Sequence, residues 1–131
     1  MICADTSSLV ALLEGGTGRD VELVRQALLD SALALSPITV TELLSAPDLT
    51  PGVEAAILEI PQFEIKPGYW ERTGRLRAKL LRHRLRPKIA DSLIAQSCLD
   101  HNAPLITRDR DFAAFQKIVG LRLMMPPERV Q

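Results

Sequence analysis

Two patterns of apolar and polar residues alternate along the chain. Short, nearly continuous apolar runs are typical of buried strands, and apolar residues three or four positions apart are typical of amphipathic helices. The first pattern predicts five strands, at residues 1–4, 33–36, 63–66, 104–107 and 121–125. The second predicts seven helices, at residues 8–13, 20–30, 38–45, 52–58, 69–84, 89–101 and 111–119. This alternation predicts an α/β domain with a mainly parallel sheet that helices cover on both faces.

Composition sets limits on the size, charge and location of the protein. A chain of 131 residues with 47% hydrophobic content is expected to form a single domain over residues 1–131. Its 16 basic and 16 acidic residues cancel, so bulk charge predicts no strong attraction to nucleic acid or to an anionic membrane. Cys3 and Cys98 are predicted to be small core residues, and His83 and His101 to be surface residues. Without a membrane-length apolar run or a secretory signal pattern, we expect no membrane association and a cytoplasmic location.

Three acidic residues lie near ends of predicted strands or helices, and each has an ordinary structural explanation. Asp5 follows the first strand, and Asp109 follows the fourth. Aspartate is a preferred N-cap, so either residue could cap the next helix. Glu42 lies three positions after Thr39, which is the spacing of a capping box.

Asp91 is harder to explain as a surface residue. It precedes Ile94, Ala95 and Cys98 by three, four and seven positions, which places all four on one stripe of a helix. That stripe is the apolar one, and an unpaired carboxylate that faces a core is costly. Asp91 should therefore either take up a proton or face a cation or hydrogen-bond donors, and nearby Lys88 is one candidate partner.

Taken together, the four carboxylates predict a metal site. The first and fourth strands would be neighbours in such a sheet, so Asp5 and Asp109 would reach the same edge. Glu42 and Asp91 would approach that edge from the starts of their helices. Gathered carboxylates repel one another, and a hard divalent ion with oxygen ligands usually relieves that repulsion. Mg²⁺ or Mn²⁺ fits best, because no cluster of His or Cys indicates zinc.

Four segments of the chain carry a family resemblance. They are Ile2-Cys-Ala-Asp-Thr-Ser-Ser8, Ile38-Thr-Val-Thr-Glu-Leu-Leu44, Lys88-Ile-Ala-Asp-Ser-Leu-Ile-Ala95 and Leu105-Ile-Thr-Arg-Asp-Arg-Asp-Phe112. In their order and spacing they resemble the PIN-domain ribonucleases, and within these the VapC-type toxins of bacterial and archaeal toxin–antitoxin pairs. The resemblance spans essentially the whole chain. It implies a three-layer sandwich whose five strands lie in the order 3-2-1-4-5.

The resemblance also implies roles for individual residues. The implied catalytic carboxylates are Asp5, Glu42, Asp91 and Asp109. The expected metal ligands among them are Asp5, Asp91 and Asp109, with Glu42 as a further candidate. Asp111 resembles an auxiliary acid that part of the family carries, and is a candidate ligand as well.

Ser7 and Thr107 resemble hydroxyls that orient these carboxylates. The implied reaction is hydrolysis of an RNA phosphodiester by a Mg²⁺-dependent endoribonuclease, with Mn²⁺ as a substitute and with 3′-hydroxyl and 5′-phosphate ends as products. The implied context is the toxin component of a type II toxin–antitoxin system. A homodimer and a cognate antitoxin protein are therefore the expected partners, and Trp70 and Leu81 are candidate interface residues.

A basic segment offers a way to hold RNA despite the zero net charge. From Arg72 to Lys88 the chain has eight Lys or Arg residues and no acid. One stripe of this segment is formed by Arg72, Arg75, Lys79, Arg82 and Arg86. A solvated helix face explains such a stripe equally simply, but the absence of interleaved acids favours a surface that follows the phosphates of RNA.

Other families with an aspartate at a strand end fit less well. A haloacid-dehalogenase-like phosphatase needs Asp-x-Asp, an integrin-type site needs Asp-x-Ser-x-Ser, and Asp5 begins neither pattern. No glycine-rich phosphate loop of the Walker type is present. The main alternative is a catalytically silent PIN-fold module that binds only RNA or a protein partner. The target RNA is left open by the sequence.

Overall fold

Four short parallel strands form the centre of the fold. In the computed structural model, which describes residues 1–124, the strands are β1 (Ile2–Ala4), β2 (Leu33–Ala34), β3 (Leu105–Ile106) and β4 (Leu123–Met124). They lie in the order β2-β1-β3-β4, and every pairing is parallel. Parallel strands require crossover connections, and the helices between them supply these.

Within the described residues, seven α-helices and one 3₁₀ turn surround the sheet. The helices are α1 (Thr6–Leu13), α2 (Arg19–Leu29), α3 (Pro37–Leu44), α4 (Pro51–Glu59), α5 (Tyr69–Arg82), α6 (Ile89–Asp100) and α7 (Ala113–Val119). The 3₁₀ turn, Arg110–Phe112, leads directly into α7. All seven helices lie within two or three residues of their predicted positions. No helix in residues 1–124 is long and apolar enough to cross a membrane.

The sheet divides the core into two layers of side chains. Successive residues of a strand point to opposite faces, and Cys3 and Ala4 accordingly belong to different apolar clusters. Cys3 packs with residues of α5, α6 and α7, whereas Ala4 packs with residues of α1 to α4. The predicted α/β fold with helices on both faces of a parallel sheet is therefore confirmed. Cys3 and Cys98 are buried, free thiols, as expected.

The predicted edge strand at residues 63–66 is not a strand in the structure. A single parallel bridge joins Leu35 to Gln62 there, with one hydrogen bond on either side of it. Phe63 is buried, but residues 64–66 are all exposed, Ile65 included, so neither pairing nor burial continues beyond Phe63. The described sheet thus has four strands instead of five, in the predicted order apart from this edge. Met125 of the last predicted strand lies outside the described residues.

The position at which α3 begins shows whether the predicted capping box of Thr39 and Glu42 forms. Pro37 occupies the first helical position, which favours Pro because the missing N–H would be unpaired there anyway. The helix therefore begins three residues after Ala34, the last residue of β2, and Ser36 is its N-cap. Thr39 then lies inside the helix, so the capping box predicted for Thr39 and Glu42 does not form. The side chain of Glu42 is left available for another contact.

Candidate active site

The site lies at the carboxyl ends of the two central strands. β1 pairs with β3 so that Ala4 lies beside Ile106, and the backbone N–H of Asp5 donates to the carbonyl oxygen of Ile106 at 3.1 Å. The residues that follow the two strands, Asp5 and Thr107, are therefore neighbours. This is the edge where open α/β sheets usually bind their ligands.

Asp5 is buried and accepts several hydrogen bonds. Its side chain is the N-cap of α1, accepting from the backbone N–H of Ser8 at 3.1 Å. The Ser7 hydroxyl lies 2.9 Å from each carboxylate oxygen, and the Thr107 hydroxyl donates to Oδ2 at 2.7 Å. Burial raises the pKa of Asp5, and the hydrogen bonds from Thr107, Ser8 and Ser7 only partly oppose that rise. The helix-cap explanation is thus correct, and it does not exclude a role in the site.

Thr107 connects Asp5 to the next acidic loop. While its hydroxyl donates to Asp5, its oxygen accepts from the backbone N–H of Asp109 at 2.9 Å. The carboxylate of Asp109 in turn accepts from the backbone N–H of Asp111 at 2.9 Å and begins the 3₁₀ turn. A continuous series of hydrogen bonds therefore links Asp5 to Thr107, Thr107 to Asp109, and Asp109 to Asp111. Ser7 and Thr107 both donate hydrogen bonds to Asp5, and their role in orienting the carboxylate for chemistry stays a prediction.

Three carboxylates form a close group, which we call the acidic cluster. One oxygen each of Asp91, Asp109 and Asp111 can be chosen so that all three lie within 4.8 Å of one another. Asp91 and Asp109 are half-buried, and Asp111 is exposed. Burial, followed by the charge of Asp109, raises the pKa of Asp91 to about 6, although the charge of Lys88 opposes the rise. No ion pair joins Lys88 to Asp91 in the described residues, so that structural alternative is wrong.

Asp5 and Glu42 lie outside the acidic cluster but close to its edge of the sheet. The charge of Asp5 contributes to the raised pKa of Asp91, which places the two carboxylates in the same electrostatic environment. Glu42 is exposed on α3 and accepts a hydrogen bond from the hydroxyl of Thr6 at 2.7 Å. Because Thr6 follows Asp5 directly, this bond places Glu42 beside the start of α1.

An ion pair between buried Asp20 and exposed Arg108 was not predicted from the sequence. Asp20 is only 2% exposed and accepts from Arg108 Nε at 2.7 Å and from the Ser8 hydroxyl at 2.9 Å. Arg108 stands between Thr107 and Asp109, so the pair ties the start of α2 to the acidic loop. Gly18 leaves space for this contact, because a Cβ there would lie 2.8 Å from an oxygen of Asp20.

The signal for this pair was present in the sequence. Asp20 precedes Val24 and Ala27 by four and seven positions, the same buried-stripe spacing that singled out Asp91. Burial alone would raise the pKa of Asp20, but the hydrogen bonds from Arg108 and Ser8 overcome it and hold the pKa below its usual value.

The basic stripe of α5 is mostly exposed. Arg75, Lys79 and Arg82 on the helix, and Arg86 beyond it, are all exposed, while Leu76 and Leu80 face the core. Arg72 differs from the others because its guanidinium pairs with Asp100 and donates to the carbonyl oxygen of Pro67. The exposed part of the stripe whose cations have no ion-pair partner among the described residues therefore excludes Arg72.

Comparison with known families identifies the family to which this fold belongs. The sequence model of the PIN domain matches residues 2–118 of the chain. The chain belongs to the PIN-domain family. Four segments of the sequence had indicated this membership, and the parallel sheet with helices on both faces agrees with it. Among curated proteins, no sequence matches the chain significantly.

Solved structures similar to this PIN domain include toxin–antitoxin complexes. FitAB bound to an IR36 DNA fragment has a TM-score of 0.72 and 19% identity, covering 100% of this chain and 99% of that chain. A toxin–antitoxin complex from Klebsiella pneumoniae has a TM-score of 0.70 and 25% identity, with coverages of 98% and 100%. VapBC2 from Rickettsia felis, bound to a promoter DNA fragment, has a TM-score of 0.69 and 22% identity, with coverages of 97% and 100%.

Proposed function

We propose that this PIN domain is the toxin component of a type II toxin–antitoxin system and acts in the cytoplasm as a Mg²⁺-dependent endoribonuclease. The observation that carries the proposal is the acidic cluster of Asp91, Asp109 and Asp111, which lies at the carboxyl edge of the sheet with no ion-paired cation among the described residues. The similarity in fold to the FitAB and VapBC complexes supports the toxin assignment.

The residues of the cluster fit a divalent cation. Carboxylate oxygens are the ligands that Mg²⁺ and Mn²⁺ prefer, and three of them already lie within 4.8 Å of one another. Burial and the charge of Asp109 raise the pKa of Asp91, and a bound cation would oppose both effects by stabilising the charged carboxylate. Asp91, Asp109 and Asp111 would hold the ion, with Asp5 and Glu42 nearby. A bound Mg²⁺ would supply a more acidic water and neutralise charge on the phosphate.

The protein itself supplies geometry and binding. The hydrogen bonds from Ser7 and Thr107 hold Asp5, and those through Thr107 hold the Asp109 loop, so the carboxylates are fixed before substrate arrives. Arg75 and Arg82 lie on the exposed face of α5 and would hold the phosphates of RNA.

Two protein partners belong to the proposal. The first is a cognate antitoxin, as in the complexes of similar fold. The second is another copy of the chain, for which the exposed apolar side chains of Trp70, Leu81 and Ile89 form a candidate surface. These three side chains are 60%, 43% and 63% exposed.

Asp91→Asn tests the proposed activity. The purified wild-type protein should cleave RNA with Mg²⁺, leave 5′-phosphate ends, and lose activity when EDTA removes the metal. Asp91→Asn should lower the cleavage rate by about 100-fold or more, whereas Asp48→Asn, an exposed aspartate in a loop, should not. The same variants should show whether growth inhibition on expression follows cleavage. If Asp91→Asn still inhibits growth as strongly as the wild type, the protein is a silent binding module.

A further inference from the structure

A cavity of about 350 Å³ adjoins the acidic cluster. Asp91 and Asp111 line it on one side, so the cavity and the cluster share two carboxylates. Its other walls come from the end of α5, the segment before α6, and α7. Its volume lies near the lower end of the about 300–1,000 Å³ that is typical of small-ligand sites.

One wall of the cavity is apolar. Leu80, Leu85, Ala114 and Phe115 contribute to it, and all four belong to the apolar cluster beneath α5 and α7. Leu80 and Phe115 are almost completely buried, so they form a fixed floor, whereas Leu85 and Ala114 are half-buried and accessible. A fixed apolar wall next to a polar rim is suited to the face of a planar ring.

The remaining charges at the cavity are positive. Arg86, Lys88 and Arg110 line it together with the two shared carboxylates. Within residues 1–124, none of these three cations forms an ion pair with a carboxylate. They therefore offer unpaired positive charge to an anion such as the phosphate group of a nucleotide.

We propose that this cavity binds one nucleotide of the RNA. This nucleotide is the one next to the phosphodiester that is cleaved at the acidic cluster. The base lies against the apolar wall, and Arg86, Lys88 and Arg110 hold its phosphate. This inference rests on the proposed function and extends it. It assigns recognition of the nucleotide beside the cleaved bond to residues of α5, of α7 and of the segment between α5 and α6.

Binding of mononucleotides tests the cavity without any need for cleavage. The probes are the four ribonucleoside 5′-monophosphates, titrated against metal-free protein by NMR. Ala114→Phe, which fills the cavity, should weaken the best-bound nucleotide by about 10-fold or more. Ala113→Phe is the matched control, because Ala113 precedes it on the same helix but is exposed, and it should change binding by less than about 2-fold. Equal binding by both variants, or no binding by the wild type, overturns the proposal.

RNA oligonucleotides that lack a single base test the same site in the wild-type chain, so the result does not depend on the folding of Ala114→Phe. Removing the base on one side of the cut should lower kcat/KM by about 10-fold, and Ala114→Phe or Arg110→Ala should reduce this difference. If RNA is cleaved but no flanking base matters, the nucleotide site is wrong and the proposed activity stands. If mononucleotides bind in the cavity but RNA is never cleaved, the proposed activity fails and the site stands.

Discussion

The acidic cluster and the ion pair of Asp20 with Arg108 both involve residues of the loop that follows β3, but the pKa of the carboxylate shifts in opposite directions at the two places. Asp20 is almost fully buried yet has a lowered pKa, because Arg108 and Ser8 donate hydrogen bonds to its charged form. The pKa of Asp91 is raised, first by burial and then by the charge of Asp109. Burial acts in the same direction at both sites, but among the described residues only Asp20 has an ion-paired cation that overcomes it.

This difference separates a carboxylate that stabilises the fold from carboxylates that could bind a metal ion. The Asp20 carboxylate already has its cation, so it stabilises the loop and has little further affinity for a metal. Asp91, Asp109 and Asp111 have no such partner in the described residues, and their mutual repulsion is a cost that only an added cation or a proton removes.

Divalent metal should stabilise the wild-type protein through the acidic cluster. At a free Mg²⁺ or Mn²⁺ concentration 100 times the dissociation constant, linkage predicts a gain of about 2.7 kcal/mol in the free energy of unfolding. Asp109→Asn should remove most of this gain, and Asp48→Asn should retain it. Thermal unfolding over a metal titration measures the effect. A shift of equal size in Asp109→Asn would place the metal elsewhere.

Removing the cation of the structural pair should destabilise the fold. Arg108→Ala leaves the carboxylate of Asp20 buried without its strongest donor, and we expect a loss of about 1–3 kcal/mol in urea unfolding. Arg110→Ala, two positions along the chain and exposed, should change stability by less than about 0.5 kcal/mol. Equal stabilities for the two variants would show that the pair contributes nothing.

The same contrast applies to the basic residues. Arg72 is paired with Asp100, whereas Arg75 and Arg82 are exposed and available. In an Asp91→Asn background, changing Arg75 and Arg82 together to Glu should weaken RNA binding by about 10-fold and lower its dependence on salt. Changing Arg19 and Arg25 of α2 to Glu alters the net charge equally and is the control. Parallel salt titrations of the two double variants decide between a local surface and a general charge effect.

Metal-free protein should show the raised pKa of Asp91 in its stability. Because the pKa of the folded state is about 6, above the ordinary 3.8, the folded protein holds a proton that the unfolded chain loses between these values. The contribution of Asp91 to stability therefore falls as pH rises from about 4 to about 6. Asp91→Asn removes this loss, so the variant should gain stability relative to the wild type across that window. Solvent screens the half-buried group, which makes this the smallest effect.

Asp20 is an internal control for this pH series, because its pKa is shifted in the opposite direction to that of Asp91. Asp20 has a lowered pKa, so its contribution to stability is present above its ordinary value and is lost as pH falls. A wild-type protein and an Asp91→Asn variant should lose that contribution alike at acid pH. Curves that instead run parallel from pH 4 to pH 7 would mean that Asp91 is not perturbed in solution.

Much of the fold was predictable because local spacing reports burial. The stripe of Asp91 with Ile94, Ala95 and Cys98 is buried on its apolar side, as its offsets indicated. The strand at residues 63–66 was wrongly predicted, because alternation cannot show whether a partner strand and a core lie within reach. The capping box predicted for Thr39 and Glu42 was also wrong, because the helix begins at Pro37 and Thr39 therefore lies inside it.

The family and the acidic residues that follow strands or begin helices could be read from the sequence, because the short motifs keep their order and most apolar runs correspond to one buried element. Which of these carboxylates lie close together depends on the folded structure. Oxygens of Asp91, Asp109 and Asp111 lie within 4.8 Å of one another, Glu42 accepts a hydrogen bond from Thr6, and Asp20 pairs with Arg108. That division depends on which charges fold to within a few ångströms of each acid, and residues 88 positions apart along the chain can meet only in the folded protein.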